Sequence, residues 1–289
     1  MTLRIWVELL KQSFTNWNED DAPRLGASLA FYTILSMSPL MVLVVAAASL
    51  VFSRSDAQAH MLGQVQATAG AEGREAVRSM LTSGQRDASG IFASTMGFIT
   101  LLFGASGVFG ELRAALNTIW DCRPKPQSEI LGWIKDRFFS LGMVISVGFV
   151  LLTSLLASAA LQAVAKYFAG LLPFTTVVVE GMNFAVSFLG IALLFGFILK
   201  YVPETNVNWQ DVRVGALLSA LLFTIGKTLL GLYLGKASPG SAYGAAGSLI
   251  VMVVWVYYSA QIFFFGAEFT HVHALWERAR RSASHSQSL

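Results

Sequence analysis

Long apolar stretches separated by short polar ones recur along the whole chain. A helix needs about 20 apolar residues to cross the hydrocarbon core of a bilayer, because backbone groups in lipid must hydrogen bond to one another. Six stretches are long enough and nearly free of charge, at residues 27–52, 91–110, 138–165, 177–199, 214–235 and 248–267. The pattern predicts an all-α membrane bundle of six transmembrane helices.

The segments outside these stretches predict smaller elements. Apolar residues recur at helical spacing in residues 3–18, at Leu3, Trp6, Leu10, Phe14 and Trp17. This spacing predicts an amphipathic helix lying in the inner headgroup layer. The mixed segment 54–90 predicts further short helices on the outer face, and the polar segment 282–289 predicts a disordered tail. Residues 1–281 are therefore expected to form a single membrane domain.

Composition and charge fit a membrane protein. The chain is 55% hydrophobic and only 13% charged, against roughly 25% charged in ordinary soluble domains. Most of the 20 Lys and Arg residues fall on one set of alternating loops, which includes both chain ends. Positively charged loops stay in the cytoplasm, so both termini are expected there. The net charge of +3 is spread over these loops, which favours membrane lipids over nucleic acid as partners.

The sequence lacks the residue sets that enzymes and metal sites require. Its single cysteine is Cys122, and the two closest of its four histidines, His271 and His273, would lie on different faces of a helix. A Walker A loop, an HExxH pair and a dinucleotide glycine fingerprint are all absent from the sequence. We therefore expect no enzymatic activity, no metal site and no cofactor.

Polar residues at the ends of spans are candidates for a functional site, because they usually face a cavity or a partner. Arg24, Glu111 and Glu268 fall near the cytoplasmic ends of the first, second and sixth spans, with Asn117 beyond Glu111 and Gln261 on the same face as Glu268. The predicted arrangement is a charged cluster at the inner mouth of a cavity, in which Arg24 bridges one or both carboxylates. A salt-bridge lock that only fixes helix packing is the alternative.

Three further residues stand out within the spans. Glu180 and Lys227 lie at comparable depth toward the outer leaflet, so they are a possible pair. The alternative for Lys227 is that its long stem carries the charge to the outer headgroups. Pro39 removes a backbone amide from the first span, which predicts a kink there.

Several ordered motifs carry a resemblance to a known family. Residues 24–39 read RLGASLAFYTILSMSP, residues 116–120 read LNTIW, and the last part of the chain contains YGAAGS, WVYYS and GAEF at 243–248, 255–259 and 266–269. In these motifs the chain resembles the YihY/BrkB family of bacterial inner-membrane proteins. The resemblance implies six spans with cytoplasmic ends in the bacterial inner membrane. Members of that family have carried an old ribonuclease label, a link to serum resistance and proposals of lipid-like transport.

These observations together favour a transporter or flippase for an amphiphilic or anionic envelope molecule. An ion- or proton-coupled antiporter and a non-transporting membrane scaffold are the alternatives. Ribonuclease activity is the weakest hypothesis, because the cytoplasmic loops are too short to build a groove for RNA. Faces of small residues can join helices within one chain or between copies, so a homo-oligomer stays open. The residues do not identify the substrate.

Overall fold

All regular structure in the described part of the chain is helical. The computed structural model describes residues 3–48, 53–86, 107–122, 175–205, 207–237 and 247–286, together with Gly142 and Thr153. Within these residues the helices are α1 (Leu3–Glu19), α2 (Ala22–Ala48), α3 (Arg54–Arg86), α4 (107–119), α5 (Thr175–Tyr201), α6 (Trp209–Ala237) and α7 (Gly247–Ser286). The all-α prediction is confirmed for this part of the chain.

Three of the described helices are long and apolar enough to cross a membrane. Their apolar windows are Phe184–Tyr201, Trp209–Tyr233 and Gly247–Ser282, in α5, α6 and α7. These windows overlap the fourth, fifth and sixth predicted spans. Of the first predicted span, α2 covers the residues up to Ala48, and most of the second and third spans lies outside the described residues. The count of six therefore stays a prediction.

Helices α6 and α7 pack closely through two reciprocal contacts between small residues. A side-chain carbon added at Gly215 would overlap Thr270 Oγ1, and one added at Gly266 would overlap Ser219 Oγ. Both hydroxyls donate to carbonyls of their own helices, Ser219 to Gly215 at 2.8 Å and Thr270 to Gly266 at 2.7 Å. The polar atoms are thus satisfied within each helix, and the glycines allow close approach, as is common in membrane bundles.

Helix α1 packs against the C-terminal half of α7. The Trp6 ring stacks on Phe269 with centroids 5.9 Å apart, and Leu9 and Val272 are buried in the same cluster. Because α7 has 40 residues, it is about 60 Å long, roughly twice the thickness of the hydrocarbon core. Part of α7 must therefore extend beyond the core.

Helix α3 consists of two shorter helical halves, in agreement with the short helices expected for residues 54–90. It runs for 33 residues, with one break at Gly70, where φ is 76°. A positive φ carries little penalty in glycine, so Gly70 allows the two halves to change direction. The second half packs with Val77 and Leu81 against Met37 of α2 and Val256 of α7. It therefore lies along the sides of these helices, where its apolar face is buried.

Two further sequence expectations concern helix continuity. Helix α2 continues through Pro39 to Ala48, and the predicted kink stays a prediction because the side chain of Pro39 lies outside the described ones. Helix α7 continues to Ser286 and so overlaps the first residues of the tail at 282–289, whose disorder stays a prediction. An ion pair between Arg281 and Glu277, 3.7 Å apart one helical turn away, supports this last part of the helix.

Substitution of the two interface glycines should destabilise the bundle. We expect Gly215→Ala and Gly266→Ala each to lower the free energy of unfolding by about 1–3 kcal/mol, because the added methyl group forces the two helices apart. Gly231→Ala is the matched control on α6, since no atom lies within 4 Å of its added carbon. The measurement is the thermal denaturation midpoint in detergent. Equal midpoints for all three variants would contradict the close contact.

Candidate functional site

Polar side chains converge where the cytoplasmic ends of α2, α4 and α7 are predicted to meet. Ser28 Oγ of α2 donates a 2.8 Å hydrogen bond to Glu111 Oε2 of α4. One turn along α2 from Ser28, Tyr32 lies so close to Gly107 of α4 that any side chain there would overlap its ring. The contact between the first and second predicted spans is therefore both polar and tight.

The side chain of Gln261 joins α7 to the start of α2. Its Nε2 donates to the carbonyl oxygen of Ala22 at 3.3 Å. The same nitrogen occupies the space that a side chain at Gly26 would require. Gln261 Oε1 is buried and accepts no hydrogen bond within the described residues.

Two ordered turns bring aspartates to this end of the bundle. Asp21 between α1 and α2 and Asp121 after α4 both adopt left-handed backbone conformations, with φ of 52° and 50°. After α4, the amides of Asp121 and Cys122 donate to the carbonyls of Thr118 and Asn117, which is the hydrogen-bond pattern of a Schellman motif. Aspartate tolerates this conformation better than most residues other than glycine.

Glu268 is the most deeply buried of the acidic residues described. It is 0% exposed, and neither carboxylate oxygen receives a hydrogen bond from a described donor. The carboxyl of Asp20 lies within hydrogen-bonding range of it. Two carboxyls can share a hydrogen bond only when one of them carries a proton. Burial raises the pKa of Asp20 above its ordinary value, and the nearby charge of Asp121 adds to this, whereas a hydrogen bond from the Glu268 carboxyl acts in the opposite direction.

His271, one turn beyond Glu268 on α7, completes this group. Its ring lies against the ring of Trp120 with centroids 5.0 Å apart. His271 Nδ1 and Trp120 Nε1 are both buried and have no hydrogen-bond partner among the described residues. Within these residues, no three His, Cys, Asp or Glu side chains are grouped so that they could hold a metal ion.

Asn117 belongs to a separate contact between α4 and the segment after α5. Its Oδ1 accepts a 2.9 Å hydrogen bond from the backbone amide of Glu204. The Glu204 carboxylate also pairs with Arg113 of α4, with 3.6 Å between Oε1 and Nη1. Asn117 thus fixes the position of the chain between α5 and α6, and its side chain is not part of the Glu268 group.

Arg24 does not form the predicted bridge to Glu111 or Glu268. Its Nε pairs with Asp21 Oδ2 at 2.7 Å, and its side chain is 73% exposed. The partner of Glu111 is the Ser28 hydroxyl. Arg24 lies one turn from Asp21 on the outside of the turn, where a long charged side chain stays hydrated, so the local pair forms in place of a buried bridge.

The predicted second pair can be described only in part. Lys227 is half-buried on α6, and Glu180 belongs to α5, but the side chain of Glu180 lies outside the described ones. The pairing of these two residues therefore stays a prediction. Asp20 and Asp121 were not among the candidates selected from the sequence. Their only sequence signal is that each is an acidic residue that follows a helical stretch.

An apolar groove runs beside the polar contacts, between α1, α6 and α7. It has a volume of about 360 Å³, and its lining includes Phe14, Trp17, Leu222, Ile225, Tyr258 and Gln261. The Trp17 indole Nε1 is buried without a hydrogen-bond acceptor among the described residues. Because Gln261 also bonds to α2, this side chain lies at the junction of the apolar groove and the polar contacts.

Comparison with known proteins gives a consistent family assignment. The profile of the family described as Virulence factor BrkB matches residues 13–288. A UPF0761 membrane protein of Tolumonas auensis is 29% identical over 90% of this chain and 83% of its own length. A UPF0761 membrane protein of Ralstonia nicotianae is 27% identical over 86% of this chain. The aligned part covers only 55% of the length of that relative.

The alignment with a third relative, which has a different name, covers almost the full length of both chains. The ribonuclease-like protein YfkH of Bacillus subtilis is 24% identical over 95% of this chain and 97% of its own length. No solved structure is significantly similar to this chain.

The raised pKa of Asp20 leads to a pH-dependent prediction. The folded protein keeps the Asp20 proton at pH values where the unfolded chain has released it. The stability that this proton contributes to the folded state is fully present below the ordinary pKa of 3.8, and it is lost as pH rises through the raised pKa. Asp20→Asn, which cannot ionise, should therefore gain stability relative to wild type as pH increases. The measurement is the denaturation midpoint of both proteins across a pH series.

A control for this experiment is Glu75→Gln, at an exposed carboxyl of α3. It should follow the wild-type pH profile. Parallel profiles of wild type and Asp20→Asn would show that Asp20 ionises in the same way in the folded and unfolded states.

Proposed function

The chain belongs to the family described as Virulence factor BrkB, and from this premise we propose that it moves an amphiphilic or anionic envelope molecule across the bacterial inner membrane. The observation that carries the proposal is the position of Gln261. It lines the apolar groove and also lies at the polar contact with α2. An amphiphile needs both environments side by side, one for its hydrocarbon part and one for its headgroup.

The groove offers suitable chemistry for each part of such a molecule. Its apolar lining comes mainly from α6 and α7, which are apolar enough to lie in lipid. Trp17 Nε1 is an unused donor and Gln261 Oε1 an unused acceptor within the described residues. Both atoms are buried, so a headgroup bonds to them only once the surrounding helices have moved apart. Such bonds would remove the cost of leaving the atoms unpaired.

The proposal assigns no chemical reaction to the chain. The ribonuclease-like name belongs to the relative from Bacillus subtilis. The side chains of Glu268 and Gln261 lie between packed helices, where an RNA strand has no access. We therefore propose a transport role without catalysis.

A bulky residue in the groove should block transport without unfolding the protein. Ile225 lines the groove and is 50% exposed, whereas Leu221, one turn away on α6, is 48% exposed and outside the groove. We expect Ile225→Trp to abolish protein-dependent movement of fluorescent phosphatidylglycerol in liposomes of phosphatidylethanolamine and phosphatidylglycerol. Leu221→Trp should leave the rate unchanged.

The liposome assay also distinguishes transport from the scaffold alternative. Equal rates of lipid movement with and without wild-type protein would contradict lipid transport. Loss of movement in both tryptophan variants, with folding retained, would assign the effect to the lipid-facing surface of α6 and contradict the role of the groove.

We also propose that both chain ends and the turn after α4 face the cytoplasm, in line with the distribution of Lys and Arg. The single cysteine gives a direct test, because Cys122 lies in that turn and is partly exposed. Burial raises the pKa of its thiol, so labelling should be slow at neutral pH and faster in alkaline buffer. A membrane-impermeant maleimide should label inside-out vesicles only. Cys122→Ser is the control, and labelling of right-side-out vesicles would reverse the proposed orientation.

A further inference from the structure

Within the part of the chain that the structure describes, Glu268 has no partner that compensates a negative charge. Its side chain is fully buried on α7, and no described Lys or Arg forms an ion pair with it. A buried carboxylate without hydrogen bonds or a counter-charge costs several kcal/mol. The group is therefore far more stable when it carries a proton, which turns one of its oxygens into a donor.

The elements packed around Glu268 contribute further acidic groups. Asp20 from the turn between α1 and α2 faces it directly, and the charge of Asp121 from the turn after α4 acts on both Asp20 and Glu268. His271 lies on α7 itself, with Nδ1 buried and unpartnered within the described residues. The more distant charges are Glu19, which acts on Asp20, and Arg278, which acts on His271. The surroundings thus favour a proton on the carboxyl pair.

We propose that Asp20 and Glu268 form a binding site for one exchangeable proton, and that release of this proton opens the groove between α1, α6 and α7. The O–H bond of Glu268 breaks and its electron pair stays on the carboxylate oxygen. The proton passes to Asp20, which is partly exposed, and from there to cytoplasmic water. This exchange needs no other reactant.

The coupling follows from the position of Asp20 in the chain. Once the proton has left, two adjacent carboxylates repel each other, which moves the turn between α1 and α2 away from α7. Trp17 lies one turn before Asp20 and stacks on Phe14, with centroids 5.7 Å apart. Both rings line the groove. Displacement of the turn therefore lifts them from the groove. This coupling step rests on the proposed function, whereas proton binding does not.

Proton binding can be measured on the full-length protein in liposomes without any substrate. Infrared difference spectra over a pH titration should show a protonated carboxyl band at neutral pH in wild type. The band should be lost in Glu268→Gln, whose amide imitates the protonated state and preserves the fold. Glu277→Gln is the matched control on α7, because Glu277 pairs with Arg281 at 3.7 Å, and it should keep the band.

Two outcomes of the infrared titration would overturn the proton site. One is the absence of a protonated carboxyl band at neutral pH in wild type. The other is a band that persists unchanged in Glu268→Gln. Asp20→Asn should move the titration midpoint of the band, and an unmoved midpoint would separate the two residues and overturn the shared site.

The coupling is tested by imposing a pH gradient on the same liposomes, with fluorescent phosphatidylglycerol as the probe. Wild type and Glu277→Gln should respond to the gradient, and Glu268→Gln should lose the response. A band without lipid movement in wild type would contradict the proposed transport function and leave the proton site standing. Lipid movement without a band would overturn the proton site alone. A gradient response retained in Glu268→Gln would overturn the coupling.

Discussion

Hydrocarbon offers no hydrogen bonds, and this constraint determines where the polar groups of the chain can lie. The helices satisfy the backbone, so each buried polar side chain must find its partner within the protein. Two such partnerships are the hydrogen bonds from Ser28 to Glu111 and from Gln261 to the Ala22 carbonyl. Each joins helices that are far apart in the sequence. Polar contacts thus select one arrangement among the many that uniformly apolar helices allow.

The close contact between α6 and α7 sets the depth of these polar groups. Gly215 lies opposite Thr270 and Ser219 opposite Gly266, so the two helices are antiparallel and matched at two points one turn apart. A shift by one turn would break both of these reciprocal contacts. Glu268 lies between Gly266 and Thr270 along α7, and its carboxyl lies beside that of Asp20.

The sequence predicts the helices and the inward faces better than the contacts between side chains. The apolar windows of α5, α6 and α7 follow from composition alone, and the spacing of Gln261 and Glu268 places both on one face of α7. The partner of Arg24 could not be found in the same way. It depends on the left-handed turn at Asp21, which forms a local ion pair and directs Asp20 toward α7. Periodicity predicts which face of a helix is buried, but not how far the helix is shifted along its axis relative to a neighbouring helix.

The distribution of unpaired polar atoms argues that α1 takes part in function. Folded proteins leave few buried polar atoms without a partner. In the described part of the chain, the unpaired side-chain atoms lie on α1, on α7 and at Trp120 after α4. Both the groove and the carboxyl pair have such atoms. Trp17 and Asp20 are one turn apart, so any movement of the α1 end changes both sites together. A helix beside the spans can move in this way at lower cost than a span within the bundle, because fewer buried contacts hold it.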